Sequence, residues 1–268
     1  MKTVYIGDIH GRDVWKQIIA EHEDADNIVF IGDYFDSFDI PGALQLKNAQ
    51  EIVEFKKFQE LDPSKKVYLL IGNHDHHYWP GIKDRGGTSG FQAVMLHQFE
   101  QFFRENEDQF QMAVALGTTI NRRLCTHAGV SSAFLKDAGF WKTTGLTEAD
   151  IADWLNDLFK FTPNVFSFES YYDRHYGLVS PNPYGDDEGQ SPIWIRPRSL
   201  QRSNTNTDLK KMYVQIVGHT GQNTIDIKGK STGGKYYYID TLSKGEYLIE
   251  IDDEFKIGYL NKKENYDN

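Results

Sequence analysis

Five apolar, strand-like runs in this chain each give way to a glycine-bearing loop that carries carboxylate, amide or imidazole groups. TVYI (3–6) leads into GDIHG, with Asp8 and His10. NIVFI (27–31) leads into GDYFD, with Asp33 and Asp36, and KVYLLI (66–71) into GNHD, with Asn73, His74 and Asp75. Further on, CTHAG brings His127 and QIVGHTG brings His219. Helical spacing separates the first strands: Val14, Ile18 and Ile19, then Ala49, Ile52 and Val53; after the third come Phe91, Val94, Met95, Phe99 and Phe102. That β-α-β-α-β order predicts parallel strands with helices packed on the sheet. The carboxyl ends of parallel strands share one edge, where ligands bind. Asp8, His10, Asp33, Asn73, His127 and His219 are therefore expected to meet there, with the glycines allowing tight turns and close backbone approach.

Oxygen and imidazole donors without a thiolate suit Mn²⁺, Fe²⁺ or Zn²⁺. One ion uses six such groups poorly. Two ions can share them across a bridging carboxylate, and a pair about 3.5–4 Å apart is the usual arrangement for phosphate ester chemistry. The rest of the chain is richer in strands. A helix is predicted through Ile151, Trp154, Leu155 and Leu158. Strands are predicted at 214–218, 235–240, 246–251 and 255–260, the last three antiparallel to one another.

Taken in order, GD-x-HG, GD-x-x-D, GNHD, H-x-G and GH resemble the calcineurin-like metallophosphoesterase superfamily over residues 7–220. The resemblance implies an α/β fold in which a two-sheet β-sandwich is flanked by helices in four layers. It also implies roles. Asp8 and His10 hold a first metal, Asp33 bridges, and Asn73, His127 and His219 complete a second. His74 matches the proton donor to the leaving oxygen, and Asp36 the carboxylate that orients it. Asp75 matches a supporting position, whereas His76 and His77 match no ligand and are expected at the mouth or in solvent. The cofactor is expected to be two divalent ions, Mn²⁺ first, with Fe, Zn²⁺ or Ni²⁺ as alternatives.

The branch can be read as well. Many diesterases and nucleases of this superfamily carry GHxH, whose second histidine serves the first metal; here the sequence is GHTG, with Gly221 at that position. GHTG and the segment SPIWIRPRSL, whose Arg196 matches a phosphate-gripping arginine, resemble the phosphoprotein phosphatase branch, which includes diadenosine tetraphosphate hydrolases. A planar guanidinium can clamp two phosphate oxygens. Two arginines typical of that branch are replaced by Ser37 and Ile71, leaving Arg12, Arg85 and Arg198 as candidates to compensate. The expectation is a phosphatase in which a hydroxide held between the ions attacks phosphorus, Arg196 and Asn73 engage substrate and His74 protonates the leaving group. Phosphodiesterase or nuclease, dinucleoside polyphosphate hydrolase and silent scaffold are the alternatives.

The 268 residues are expected to form one domain, 1–268, with enough apolar residues (39%) for a sizeable core. A net charge of −10 does not favour nonspecific binding to nucleic acid or anionic lipid, so the partner is expected to be a phosphate ester: a phosphoprotein, a nucleotide or a small molecule. A lone Cys125, no leader pattern and no membrane-length apolar run suit the cytoplasm. Cys125 reads as core filler. The stretch 180–190 reads as a solvated acidic loop, Tyr171 and Tyr172 as surface packing, and 262–268 as a frayed tail.

Overall fold

The first three strands take the order expected from their spacing. In the computed structural model, which describes residues 1–83, 85, 88–117, 122–140, 147–168, 187–205, 214–226 and 236–260, β1 (Lys2–Ile6), β2 (Asn27–Phe30), β3 (Lys66–Leu70) and β4 (Phe110–Gln111) run parallel. β9 (Glu246–Ile251) pairs antiparallel with β1 on one side and with β10 (Glu254–Tyr259) on the other. The first sheet therefore reads β10-β9-β1-β2-β3-β4. A second sheet holds β5 (Ala113–Gly117), β6 (Arg122–Thr126), β7 (Val214–Val217) and β8 (Tyr236–Tyr238); β5 and β6 are antiparallel, and β6, β7 and β8 are parallel.

Side-chain alternation, with its period of two, explains why the sheets stack. Val4, Ile6, Ile28 and Phe30 turn to one face of the first sheet and join the cluster built by α1 (Trp15–Glu21), α2 (Gly42–Gln59) and α4 (Leu96–Glu105). Tyr5, Val29 and Ile31 turn to the other face, where Cys125, Ile216, Tyr237 and Leu248 meet them. Leu124, one residue from Cys125, points outward to α6 (Glu148–Phe161) with Ile151 and Leu155. The result is four layers, with helices outside two mixed sheets. α6 begins in a capping box, in which Thr147 Oγ1 accepts from Asp150 N (3.2 Å) and Asp150 accepts from Thr147 N (2.9 Å). α5 (Ser132–Asp137) begins where Ser131 Oγ accepts from Phe134 N (3.0 Å), and α7 (Pro197–Asn204) begins on a proline.

Two expectations are corrected. β8 is not part of an antiparallel run with β9 and β10: it pairs parallel with β7 in the second sheet. A single 3₁₀ turn, Leu242–Lys244, closed by the left-handed Gly245, carries the chain from one sheet to the other. The short spacing that suggested a hairpin is a crossover between layers. Val94 belongs to an exposed 3₁₀ turn ahead of α4, and Phe91 precedes that turn, so the apolar helical face is narrower than the spacing implied. Tyr171, Tyr172, most of 180–190 and the tail 262–268 lie outside the described residues. Among those described, no helix is long and apolar enough to cross a membrane.

Candidate metal centre

All six predicted ligands gather at the carboxyl edges of β1, β2, β3, β6 and β7, and Asp33 lies among them. Its Oδ2 is 3.7 Å from His10 Nε2 and 3.3 Å from His127 Nε2. Two groups of close potential donors share it: His10, Asp33 and His74, and Asp8, Asp33 and His127. Asn73 Oδ1 lies 2.9 Å from both His127 Nε2 and His219 Nδ1.

Hydrogen bonds on the far side of each ring fix which nitrogen faces inward. His10 Nδ1 donates to Phe35 O (2.7 Å), His127 Nδ1 to Ile31 O (2.8 Å) and His219 Nε2 to Trp194 O (3.0 Å). A carbonyl oxygen only accepts, so those nitrogens carry the hydrogens. In the neutral rings the inward nitrogens are then lone pairs facing carboxylate and amide oxygens. Acceptors facing acceptors repel unless a cation sits between them, and this outer hydrogen bonding is what positions metal-binding histidines. The donor set therefore fits divalent ions.

The electrostatics have the same sense. Burial, then Asp240 and Asp33, push the Asp8 carboxyl well above the usual carboxylate range. Burial also penalises the Asp33 anion, but His127, His74 and His10 outweigh it and hold its carboxyl well below that range. Burial works against a His127 cation, and Asp33 and Asp8 overcome it to raise His127. Burial, with His127 and Arg196 nearby, keeps His219 well below the usual histidine value. The pocket favours added positive charge, which divalent ions supply.

The backbone at these loops is unusual. Among the described residues six non-glycine positions have left-handed φ, and four belong to this pocket: His10 (41°), Asp33 (54°), Asp36 (65°) and His219 (64°). Such conformations cost about 1–3 kcal/mol each and persist where surrounding contacts enforce them. Asp75 is one enforcer: buried at 0% exposure, it accepts from Asp33 N (2.7 Å), Tyr34 N (2.8 Å) and Gly72 N (2.9 Å), tying the second loop to the third. Close packing of the loops also requires glycine. A Cβ on Gly72 would lie 2.1 Å from Asp33 Oδ1, and one on Gly218 would lie 2.0 Å from Asp8 Oδ1.

His74 stands beside this group. Its Nδ1 lies 2.9 Å from Asp36 Oδ2, and its ring meets that of His10 edge-on, centroids 5.0 Å apart. Burial disfavours its cation, but Asp33 and the Asp36 hydrogen bond prevail and raise it above the ordinary histidine value. Tyr78 hydroxyl donates to the other Asp36 oxygen, a partner the sequence reading missed although it lies one helical turn past His74. His76 and His77 depart from expectation, since both are buried. His76 ends α3 (Asn73–His76) and its Nε2 bonds Pro163 O (2.8 Å), while His77, the residue just past the helix, packs edge-on to Trp194.

Arg196 caps the start of α7 at the pocket rim, with Nη1 3.3 Å from Thr220 Oγ1 and 3.5 Å from His219 O. Of the compensating candidates, Arg12 acts electrostatically on His10 and Asp240, Arg85 pairs with Glu100 (2.9 Å), and Arg198 is exposed. Asp240, just past β8, is the other group the sequence reading missed. The run KYYYID looked like one arm of a hairpin, which hid the fact that its carboxyl end reaches this same edge.

The profile of the calcineurin-like phosphoesterase family matches residues 1–223. No curated protein sequence matches the chain. Solved structures align with it at low identity. One is a hypothetical protein from Pyrococcus horikoshii OT3, at 8% identity and TM-score 0.49, covering 98% of this chain and 89% of that one. Another is an archaeal phosphodiesterase, at 12% and 0.36, covering 97% and 100%. A dimetal phosphatase from Danio rerio aligns at 11% and 0.39, covering 97% and 98%. The matched span takes in every loop that carries a predicted ligand and ends before Asp240, and on that match the chain belongs to the calcineurin-like phosphoesterase family, as a metal-dependent hydrolase of phosphate esters.

Proposed function

We propose that this hydrolase is a phosphatase of the phosphoprotein phosphatase-like branch, formed by residues 1–268 as one domain and working with two manganese ions. The observation that carries the reading is the position of Asp33, whose Oδ2 faces the inward nitrogens of both His10 and His127. A carboxylate so placed can serve two ions at once. Asp8, His10 and Asp33 would hold a first ion; Asp33, Asn73, His127 and His219 would hold a second. Bound divalent ions activate water and withdraw charge from the phosphoryl oxygens. The remaining work falls to the chain itself. Arg196, on the rim beside Thr220, engages a non-bridging phosphate oxygen, with Arg12 as its counterpart near the first position. His74 gives a proton from Nε2 to the leaving oxygen, while Asp36, itself fixed by Tyr78, holds Nδ1. Gly221 in place of a second histidine, together with Arg196, supports a monoesterase over a diesterase.

The test is turnover of p-nitrophenyl phosphate against bis-p-nitrophenyl phosphate by Mn²⁺-loaded protein. The monoester is expected to react faster. Faster diester turnover would overturn the choice of branch.

A further inference from the structure

We propose that Asp240 is an additional oxygen donor to the first metal position, taking the part that GHxH members give to a second histidine. The proposal rests on the reading of Asp8, His10 and Asp33 as that position.

Three observations bring Asp240 to the edge where that position lies. First, β8 runs parallel to β7, so its carboxyl end opens on the same edge as His219. Ile239 N donates to Val217 O (2.7 Å) and Gln222 N to Asp240 O (3.0 Å), locking Asp240 beside the GHTG loop. Second, the backbone of Asp240 lies against the residue before Asp8. A Cβ on Gly7 would fall 2.2 Å from Ile239 O and 3.5 Å from Asp240 Cα, so no larger residue could separate the two strand ends. Third, the side chain points at Gly221. Asp240 Oδ2 lies 3.6 Å from where a Gly221 Cβ would be, and Gly221 is the position a second histidine would occupy. The carboxylate borders the room that this histidine would have used.

The chemistry also favours it. Asp8, His10 and Asp33 leave a divalent ion short of donors, and a third carboxylate makes the position richer in hard oxygen. Oxygen-rich sites suit Mn²⁺ and Mg²⁺, whereas imidazole favours Zn²⁺. The expected consequence is a first position more selective for Mn²⁺ than a GHxH site.

Gly221 does not adopt a left-handed φ, and a Cβ added there would make one ordinary contact, 3.6 Å from Asp240 Oδ2. That permits a rescue experiment. Full-length protein stripped of metal is titrated with Mn²⁺ alone, and bound ions are counted by elemental analysis while spin coupling between them is read by electron paramagnetic resonance. Wild type is expected to take two coupled ions. Asp240→Asn should keep the second ion, lose the coupling and weaken the first by at least about 10-fold, since changing a direct donor costs no less than changing a group that only supports one. Adding Gly221→His to Asp240→Asn should restore the second equivalent. Asp240→Ala provides the same reading should the asparagine variant fold poorly. Two coupled ions bound by the Asp240 variants at wild-type affinity would overturn the role of Asp240 and leave the dinuclear reading intact. Fewer than two ions on wild type would overturn the dinuclear reading, and this proposal with it.

Discussion

Asn73 and His74 are adjacent in the chain, yet their side chains meet different partners. Asn73 Oδ1 faces the inward nitrogens of His127 and His219, whereas His74 Nδ1 is taken up by Asp36. The two residues should therefore fail differently when changed. His74→Asn is expected to lower kcat on p-nitrophenyl phosphate by about 10²–10⁴-fold, the usual contribution of a positioned proton donor, while elemental analysis still finds two ions. Loss of an ion alongside the rate would make His74 a ligand, a role its grouping with His10 and Asp33 keeps geometrically open. At this scale the sequence was informative wherever a residue followed its strand at once, as Asp8, Asp33 and Asn73 do. It was silent on Tyr78 and Asp240. Tyr78 reaches Asp36 only through the path of the chain after α3. Asp240 comes to the edge where Asp8 lies only because β8 pairs with β7 in the second sheet. The burial of His76 and His77 was equally hidden, because two polar residues at a loop give no sign that Phe159 and Trp194 will close over them.

Strand ends are the elements that build the pocket, and they can meet only because the loops leaving them are thin. Gly218 follows β7 and leaves room for Asp8; Gly72 follows β3 and leaves room for Asp33. Gly218→Ala would put a methyl 2.0 Å from Asp8 Oδ1, inside any permissible contact. The carboxylate is the side of that contact able to move. The expected outcome is a folded protein, by circular dichroism, that binds one ion fewer than wild type. A variant with both ions and normal turnover would show that the strand ends have slack. The first three strands were legible because helical and strand periods alternate cleanly between residues 3 and 71. The pairing of β8 was not, because spacing alone cannot tell a hairpin from a crossover between layers. Gly245 is the local clue, since its left-handed φ of 80° closes the turn that sends the chain back to the first sheet.

At the scale of the whole molecule, the two sheets are joined by a charge pair as well as by apolar packing. Arg123 of β6 bonds Glu250 of β9 at 2.8 Å, with only 5% and 4% of the side chains exposed, and Tyr5 of β1 donates to the same carboxylate at 2.6 Å. Removing one partner strands a buried charge, so Arg123→Ala is expected to destabilise by about 3–5 kcal/mol, whereas replacing both partners together by apolar residues of similar size should cost less, because only the Tyr5 hydroxyl is then left without its acceptor. Denaturant unfolding of the single and double variants measures the difference, and a single variant within error of wild type would show that the pair contributes nothing. The same corner governs how the molecule is assembled. β9 lies between β1 and β10, and Tyr5 meets Glu250 across 245 positions of sequence. β1 thus gains its neighbour on that side only once β9, 245 positions further along the chain, has been made. Until then it is an open edge, and the nascent chain can arrange its central strands but cannot seal them.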